Sequence, residues 1–399
     1  MSAHAHAPVG GRMMNPSMRV VFALFGIGVA MILWRFLAGL GATTAMNDGY
    51  PFGLWIAFDV VTGSALACGG SAVAILVFIM NKGQYSPLVR PAILTSALGY
   101  TLAGMGVALD VGRWWGLWKV PIFFWRWNVN SALLEIALCI MAYVVVLWVE
   151  MAPFLLEKYQ EGGTNLTLRR FARSAVPMLR KASVWIVAMG LLLPTMHQST
   201  LGTLMLLANS RLHELWRTPL VPLFFLMTCV SMGFSVVVFE SAFSQTSFGR
   251  KPETSMLAGI AGIIVPLQFA VVALRLVDMG VRGVIGDLFA GDARSFMVIL
   301  ELVLFLAPAV MLLSPASRRD LGHLVRSAMV MMFAGALYRF DVFLVAFNPG
   351  AHWSYFPSVP EILVTVGLVA AEVIAYVFIV RNFPILSGGS TSGSERQAA

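Results

Sequence analysis

Apolar residues in this chain come in long blocks divided by short polar segments. Ten blocks are legible: 20–40, 52–81, 88–115, 130–157, 179–207, 219–246, 255–279, 296–313, 324–347 and 360–382. Each is close to or above the ~20 residues that carry a helix across ~30 Å of hydrocarbon. Backbone groups in lipid must be satisfied internally, so blocks of this length mean helices rather than a barrel. The pattern predicts an all-α, polytopic membrane helical bundle of about ten transmembrane helices. Spans two to six exceed the minimum, so they tilt or project from the bilayer. The organisation that follows is an N-terminal tail over 1–19, a transmembrane domain over 20–385 and a disordered tail, rich in Gly, Ser and Thr, over 386–399.

Composition agrees. Of 399 residues, 59% are hydrophobic and 12% charged, with a mean hydropathy of +0.82. A soluble domain carries roughly 25% charged residues, so an ordinary globular protein is excluded. The net charge of +8 reads as an orientation signal of cytoplasmic loops. No basic amphipathic helix interleaved with aromatics is evident, so lipid and not nucleic acid is the expected surroundings. With the N-terminus inside, 17 Lys and Arg fall on inner segments, 7 on outer segments and 3 within spans. Both termini are therefore expected in the cytoplasm. The first block, from Val20 to Leu40, is longer than a signal-peptide core of ~7–15 residues and reads as a retained helix.

Ionisable groups inside spans cost several kcal/mol on insertion scales and are functional candidates by default. On this topology they gather toward the outer end: Arg35, Asp59, Asp110, Arg113, Asn128, Asn130, Glu135, His197, Gln198, Arg339 and Asp341. Asp110 and Arg113 stand at i, i+3, Ser131 and Glu135 at i, i+4, and Tyr338 and Asp341 at i, i+3, so each pair shares a helix face. Pro194 precedes His197 by one turn and opens the backbone there. Two readings stand for these groups: structural ion pairs that fix helix packing, or a polar cavity with a chemical use. Tyr100 near the middle of span three and Glu240 near the inner end of span six extend the set toward the cytoplasm. Glu135, Tyr100 and Glu240 then outline a proton path, with Asp59 beside it. Glu150 reads as an interfacial carboxylate, Arg282, Asp287 and Asp292 as loop charges, and nothing pairs Arg275 or Glu372. The small residues Gly63, Ala67, Gly69, Gly70, Gly99, Gly104 and Gly106 read as close helix packing.

Cys68, Cys139 and Cys229 lie in separate apolar blocks. Without C-x-x-C spacing they hold no iron–sulfur cluster on this chain, and no metal site is expected. Of the six histidines, only His197 lies securely in a span. Four-helix membrane cytochromes use two at similar depth, so no haem is expected. The 23 methionines read as packing, although Met can serve as an axial ligand.

Several stretches carry a resemblance: Asn47-Asp-Gly-Tyr-Pro-Phe-Gly-Leu-Trp-Ile-Ala-Phe-Asp59, Gly83-Gln-Tyr-Ser-Pro-Leu-Val-Arg-Pro91, Leu109-Asp-Val-Gly-Arg113, Asn128-Val-Asn-Ser131 with Glu135, Leu193-Pro-Thr-Met-His-Gln-Ser199 and Phe347-Asn-Pro-Gly350. They resemble the NrfD/polysulfide-reductase membrane-subunit family, and within it the Hyb-type subunit of periplasmic nickel–iron hydrogenases. The resemblance runs from about residue 20 to residue 385. It implies a multi-pass protein of the bacterial inner membrane. Such a subunit holds quinone near the periplasmic face, menaquinone before ubiquinone. It exchanges electrons with a ferredoxin-like iron–sulfur subunit and, through it, with the large and small hydrogenase subunits. It also implies that Tyr100 and Glu135 match residues of quinone and proton chemistry.

The expected activity is that of a subunit in a hydrogen:quinone oxidoreductase, with no complete hydrogen-splitting site on this chain. His197, Asn130, Arg113, Asp110, Tyr100 and Gln198 are the candidate quinone-binding residues. Glu135, Tyr100, Asp59 and Glu240 are the candidate proton relay. One alternative is the membrane subunit of another complex of the family: a polysulfide, nitrite or molybdenum-type reductase, or a quinol oxidase. Another, of a different class, is a proton channel or secondary transporter.

Overall fold

A computed structural model describes residues 6–162, 166–250 and 253–387. In chain order its long helices are α1 (Pro16–Ala38), α2 (Trp55–Ile79), α3 (Gly83–Asp110), α4 (Ala132–Gly162), α5 (Leu166–Lys181), α6 (Ser183–Leu207), α7 (Val221–Phe248), α8 (Thr254–Arg282), α9 (Ala293–Met311), α10 (Leu321–Val345) and α11 (Val359–Asn382). All except α5 are long and apolar enough to cross a membrane, which makes ten spans among the described residues, as expected. No strand is present among the described residues.

The exception is a finding. α5 buries Ala172, Ala175 and Val176 and exposes Arg170, Arg173, Arg180 and Lys181 beside Phe171 and Met178. That is a basic amphipathic helix of the kind that lies in a membrane interface. Phe171 is its one aromatic, so it is not of the aromatic-interleaved kind, and the pattern of apolar blocks does not single it out. Its arginines interrupt the hydrophobic pattern, so the segment reads as a charged loop until its apolar residues are placed on a 3.6-residue period.

Local sequence sets the helix ends. Asn15 caps α1 by accepting from Met18 N at 2.8 Å. Ser358 and Glu361 form a capping box at the start of α11, satisfying donors that a helix leaves free. Ala7 N donates to Leu386 O at 3.3 Å and Val9 N to Val380 O at 3.1 Å. Both described ends thus lie on one side, here the termini face, as an even number of spans requires. Of the tail expected to be disordered, Ser387 is buried and bonded to Arg250, and 388–399 lie outside the described residues.

In lipid, helices associate by close contact rather than by hydrophobic burial. The small residues provide it. A Cβ on Gly99 would stand 2.6 Å from Ala67 Cβ, one on Gly233 2.7 Å from Cys68 O, and one on Gly367 2.5 Å from Gly28 Cα. These contacts press α3 and α7 onto α2, and α11 onto α1. Two spans carry π-helical turns: α2 opens on one over Trp55–Thr62 and α10 closes on one over Asp341–Val345. Such widened turns shift side chains off the regular period and recur at functional positions. Asp59 and Asp341 sit on them.

Candidate functional site

The half of the bundle away from the termini face holds a polar line that runs from the edge into the core. At its edge, Glu135 in the first turn of α4 accepts from Thr200 Oγ1 of α6 at 2.7 Å. One turn earlier on α6, His197 is fully buried. Its Nε2 is 3.2 Å from Ser64 Oγ of α2. Gln198 Nε2 donates to the same hydroxyl at 2.9 Å, and Arg339 Nη2 of α10 donates to Gln198 Oε1 at 3.2 Å. Tyr100 of α3 closes the group, its ring 5.7 Å from that of His197 and its hydroxyl 3.7 Å from Cys68 Sγ.

The order of donors is set from Arg339 to Ser64. A guanidinium only donates, so Gln198 must present its oxygen to Arg339 and its amide nitrogen to Ser64. Ser64 Oγ keeps one hydrogen and a second lone pair, so it either donates to His197 Nε2 or accepts from it. Where Ser64 donates, the imidazole proton lies on Nδ1. That nitrogen is buried and has no partner among the described residues. With Ser64 donating, the chain of bonds holds a donor ready for a ligand oxygen.

Other expected members are elsewhere. Asp59 is buried and accepts from Thr365 Oγ1 of α11 at 2.8 Å. Arg113 and Asn130 are exposed, so neither belongs to a buried site. Asp110 does not pair with Arg113. Asp110 ends the helix, so the next residues leave the helical face that the i, i+3 spacing assumes. Arg35 takes the position instead, donating to Leu109 O at 2.6 Å and Val111 O at 2.8 Å. Asp110 Oδ1 has no bond. Ser131 does not meet Glu135, because its hydroxyl is used by Leu134 N at the helix start. Glu240 accepts from Thr95 Oγ1 at 2.9 Å and Tyr376 at 2.5 Å rather than facing Tyr100, and Glu372 is its neighbour.

A second buried network was not anticipated. Arg275 of α8 is 2.7 Å from Glu301 of α9, Trp216 Nε1 donates to Glu301 at 2.9 Å, and the guanidinium lies 4.8 Å from the Tyr338 ring centre. Asp341 stands beside Glu301. A lone acid in the block 296–313 was the available signal. Arg282 is likewise no free loop charge, since it bridges Asp278 and Glu214 O, and Asp292 caps α9. At the same membrane face Tyr355 donates to Glu361 at 2.7 Å. Burial and that carboxylate hold its hydroxyl above the usual range.

A probable Ni/Fe-hydrogenase 2 b-type cytochrome subunit of Escherichia coli is 39% identical to this chain over 96% of both. The chain belongs to that subunit's family. A protein of Nitratidesulfovibrio vulgaris is 30% identical over 96% of this chain and 97% of its own. The menaquinone reductase integral membrane subunit of the same organism is 32% identical over 46% of this chain and 42% of its own. No family model matches the chain. With these relatives, the ten apolar helices make the chain a multi-pass protein of the bacterial inner membrane and a membrane subunit of the hydrogenase and menaquinone-reductase kind.

The name of the first relative overturns one expectation. A b-type cytochrome subunit points to haem, so the expectation of no haem in this family is corrected. The residues can be tested against such a group. Haem iron takes axial His or Met. Among the described residues the spans hold His197, whose Nε2 is already bonded to Ser64, and His323, in the first turn of α10 and bonded to Asp320. The residues therefore do not supply a bis-histidine pair, and no step below runs through haem.

Proposed function

We propose that this chain is the quinone-reactive membrane subunit of a nickel–iron hydrogenase complex of the NrfD type. It passes electrons between a partner iron–sulfur subunit and the quinone pool, and it supplies the accompanying protons. The observation that carries this reading is the bond chain from Arg339 through Gln198 and Ser64 to His197, which leaves His197 Nδ1 buried with no partner among the described residues and, with Ser64 donating, carrying the proton. A quinone carbonyl gains negative charge as it is reduced, and a preorganised donor stabilises that charge. Glu135 and Thr200, at the half-exposed end of the same line, stand where a substrate from the lipid would enter. Glu135 is the proton donor or acceptor there. The surplus of basic residues on the termini face supports a periplasmic position for this half.

The test uses the intact complex in membranes. Glu135→Gln is expected to lower quinone-linked hydrogen oxidation at least tenfold while dye-linked oxidation stays at the wild-type rate. Quinone-linked turnover at the wild-type rate removes Glu135 from the mechanism. Co-purification of a molybdenum-type or polysulfide reductase in place of hydrogenase subunits would assign the chain to a different complex of the family. A channel or transporter would purify without redox partners.

A further inference from the structure

Quinone reduction consumes two protons per two electrons, and the polar line around His197 ends in the core. Protons from the termini face need a way in. Glu240, the acid expected to serve, has both oxygens engaged by Thr95 and Tyr376. The space beside it measures only about 10 Å³ and is bounded by Leu386 and the Arg250–Glu253 pair.

Glu150 is placed differently. It is half-buried on α4 and lines two cavities. One, of about 210 Å³, lies where α2, α3, α4 and α6 end toward the termini face, with Arg90, Glu157, Arg180 and Ser183 among its lining residues. The other, of about 10 Å³, lies deeper and is lined by Gly70, Ser71, Tyr143, Gly190 and Glu150. That is space for about one water, and the site offers it polar partners. Gly190 of α6 lies against the carboxylate, a Cβ there standing 3.5 Å from Glu150 Oε2 in ordinary contact. Tyr143 stands seven residues before Glu150, so both share a face of α4. Its ring meets that of Tyr100 edge-on, 4.4 Å between centres. The Tyr100 hydroxyl is 3.7 Å from Cys68 Sγ, and its ring centre lies 5.7 Å from that of His197.

We propose that Glu150 is the proton-entry residue of this subunit. It takes protons from the cavity at the termini face and passes them, through the one-water space and the hydroxyls of Tyr143 and Tyr100, toward His197. At each hop the bond from donor to proton breaks as the next oxygen or the His197 nitrogen gains it, the protons end on the carbonyl oxygens of the reduced quinone, and the relay groups end unchanged. The electrons come from the partner's iron–sulfur centre. This inference rests on the quinone-reactive reading above.

The experiment uses the complex in proteoliposomes, with Glu150→Gln and Glu150→Asp. For Glu150→Gln the expected result is quinone-linked turnover reduced at least tenfold, with loss of proton uptake from the termini face. Glu150→Asp is expected to restore at least a third of it, and dye-linked turnover to match the wild type. Dicyclohexylcarbodiimide, which attacks protonated carboxyls in apolar surroundings, is expected to label Glu150 in the wild type. Wild-type quinone-linked rates in Glu150→Gln overturn the proposal. So does equal failure of both variants with loss of assembled complex, which marks a packing role. A wild-type complex without quinone-linked turnover refutes the quinone reading instead. The labelling then still decides the entry site, and an unlabelled Glu150 overturns it.

Discussion

Replacing Arg275 with Met is expected to destabilise the protein by about 3–5 kcal/mol, the range for removing one partner of a buried ion pair. The structure places the site at that end. Glu301 is fully buried, Arg275 is nearly so, and the two are 2.7 Å apart. Without the guanidinium, Glu301 keeps the Trp216 bond and has Asp341 beside it, so no cation offsets either acid. At about 1.4 kcal/mol per tenfold, the folding equilibrium shifts about 100-fold to 4,000-fold. The double variant Arg275→Met, Glu301→Gln removes charge from both sides, and Trp216 still finds an amide oxygen. It is expected to recover more than half of the loss, because much of the cost of a broken buried pair is the charge left behind. Unfolding of the purified protein in mild detergent, titrated with a denaturing detergent and followed by Trp fluorescence, reads both numbers. Additive losses in the double variant, or less than about 1 kcal/mol for Arg275→Met, would refute the claim that this pair is a buried, coupled unit.

Gly367→Ala puts a Cβ 2.5 Å from Gly28 Cα, and backbone cannot yield as a side chain does. A loss of about 1–3 kcal/mol is expected from overpacking, read by the same unfolding assay. Gly26→Ala, which meets nothing within 4 Å, serves as the neutral control. At the termini face, burial lowers the His6 pKa from 6.5 to about 4, with Arg90 adding to the effect. A lowered folded-state value means that the folded tail binds fewer protons than the unfolded one. Its docking is therefore complete above about pH 6.5 and is lost as pH falls toward 4. Amide exchange at Ala7 and Val9 is expected to quicken over that window and to lose this dependence in His6→Phe.

The spans were legible because length and apolarity alone specify a membrane helix, and all ten form near their expected places. The pairings were less so. Helical spacing relates residues on one helix, whereas Glu135–Thr200, Asp59–Thr365 and Arg275–Glu301 each join two spans. Asp110 shows the limit of spacing: i, i+3 holds only while the helix continues, and α3 stops there. His197, Gln198 and Tyr100 were found because polar groups are rare in spans, yet their order as donors and acceptors needed Ser64. A serine in a membrane helix is too common to stand out. α5 failed for the opposite reason, since its charge masked an apolar face.

Three arginines are buried in the spans, and their partners differ in kind. Arg35 is held by the carbonyls of Leu109 and Val111 at the end of α3, where a helix presents partial negative charge. Arg275 has Glu301. Arg339 has dipoles: Gln198 Oε1, Thr228 Oγ1 and the carbonyls of Phe225 and Gly335. No ion pair of Arg339 occurs among the described residues. Such an arrangement keeps a positive field next to His197 and fixes the Gln198 amide. Removing the guanidinium frees that amide to turn, Ser64 can then donate to it, and His197 is no longer held with its proton on Nδ1. Gln198→Met breaks the same chain without removing the charge. Both Arg339→Gln and Gln198→Met are therefore expected to lower quinone-linked turnover by about 100-fold, the loss typical of one preorganised donor, with dye-linked turnover unaffected. If only Arg339→Gln does so, the field and not the proton position is what matters. If neither does, His197 is a packing residue and the quinone binds elsewhere.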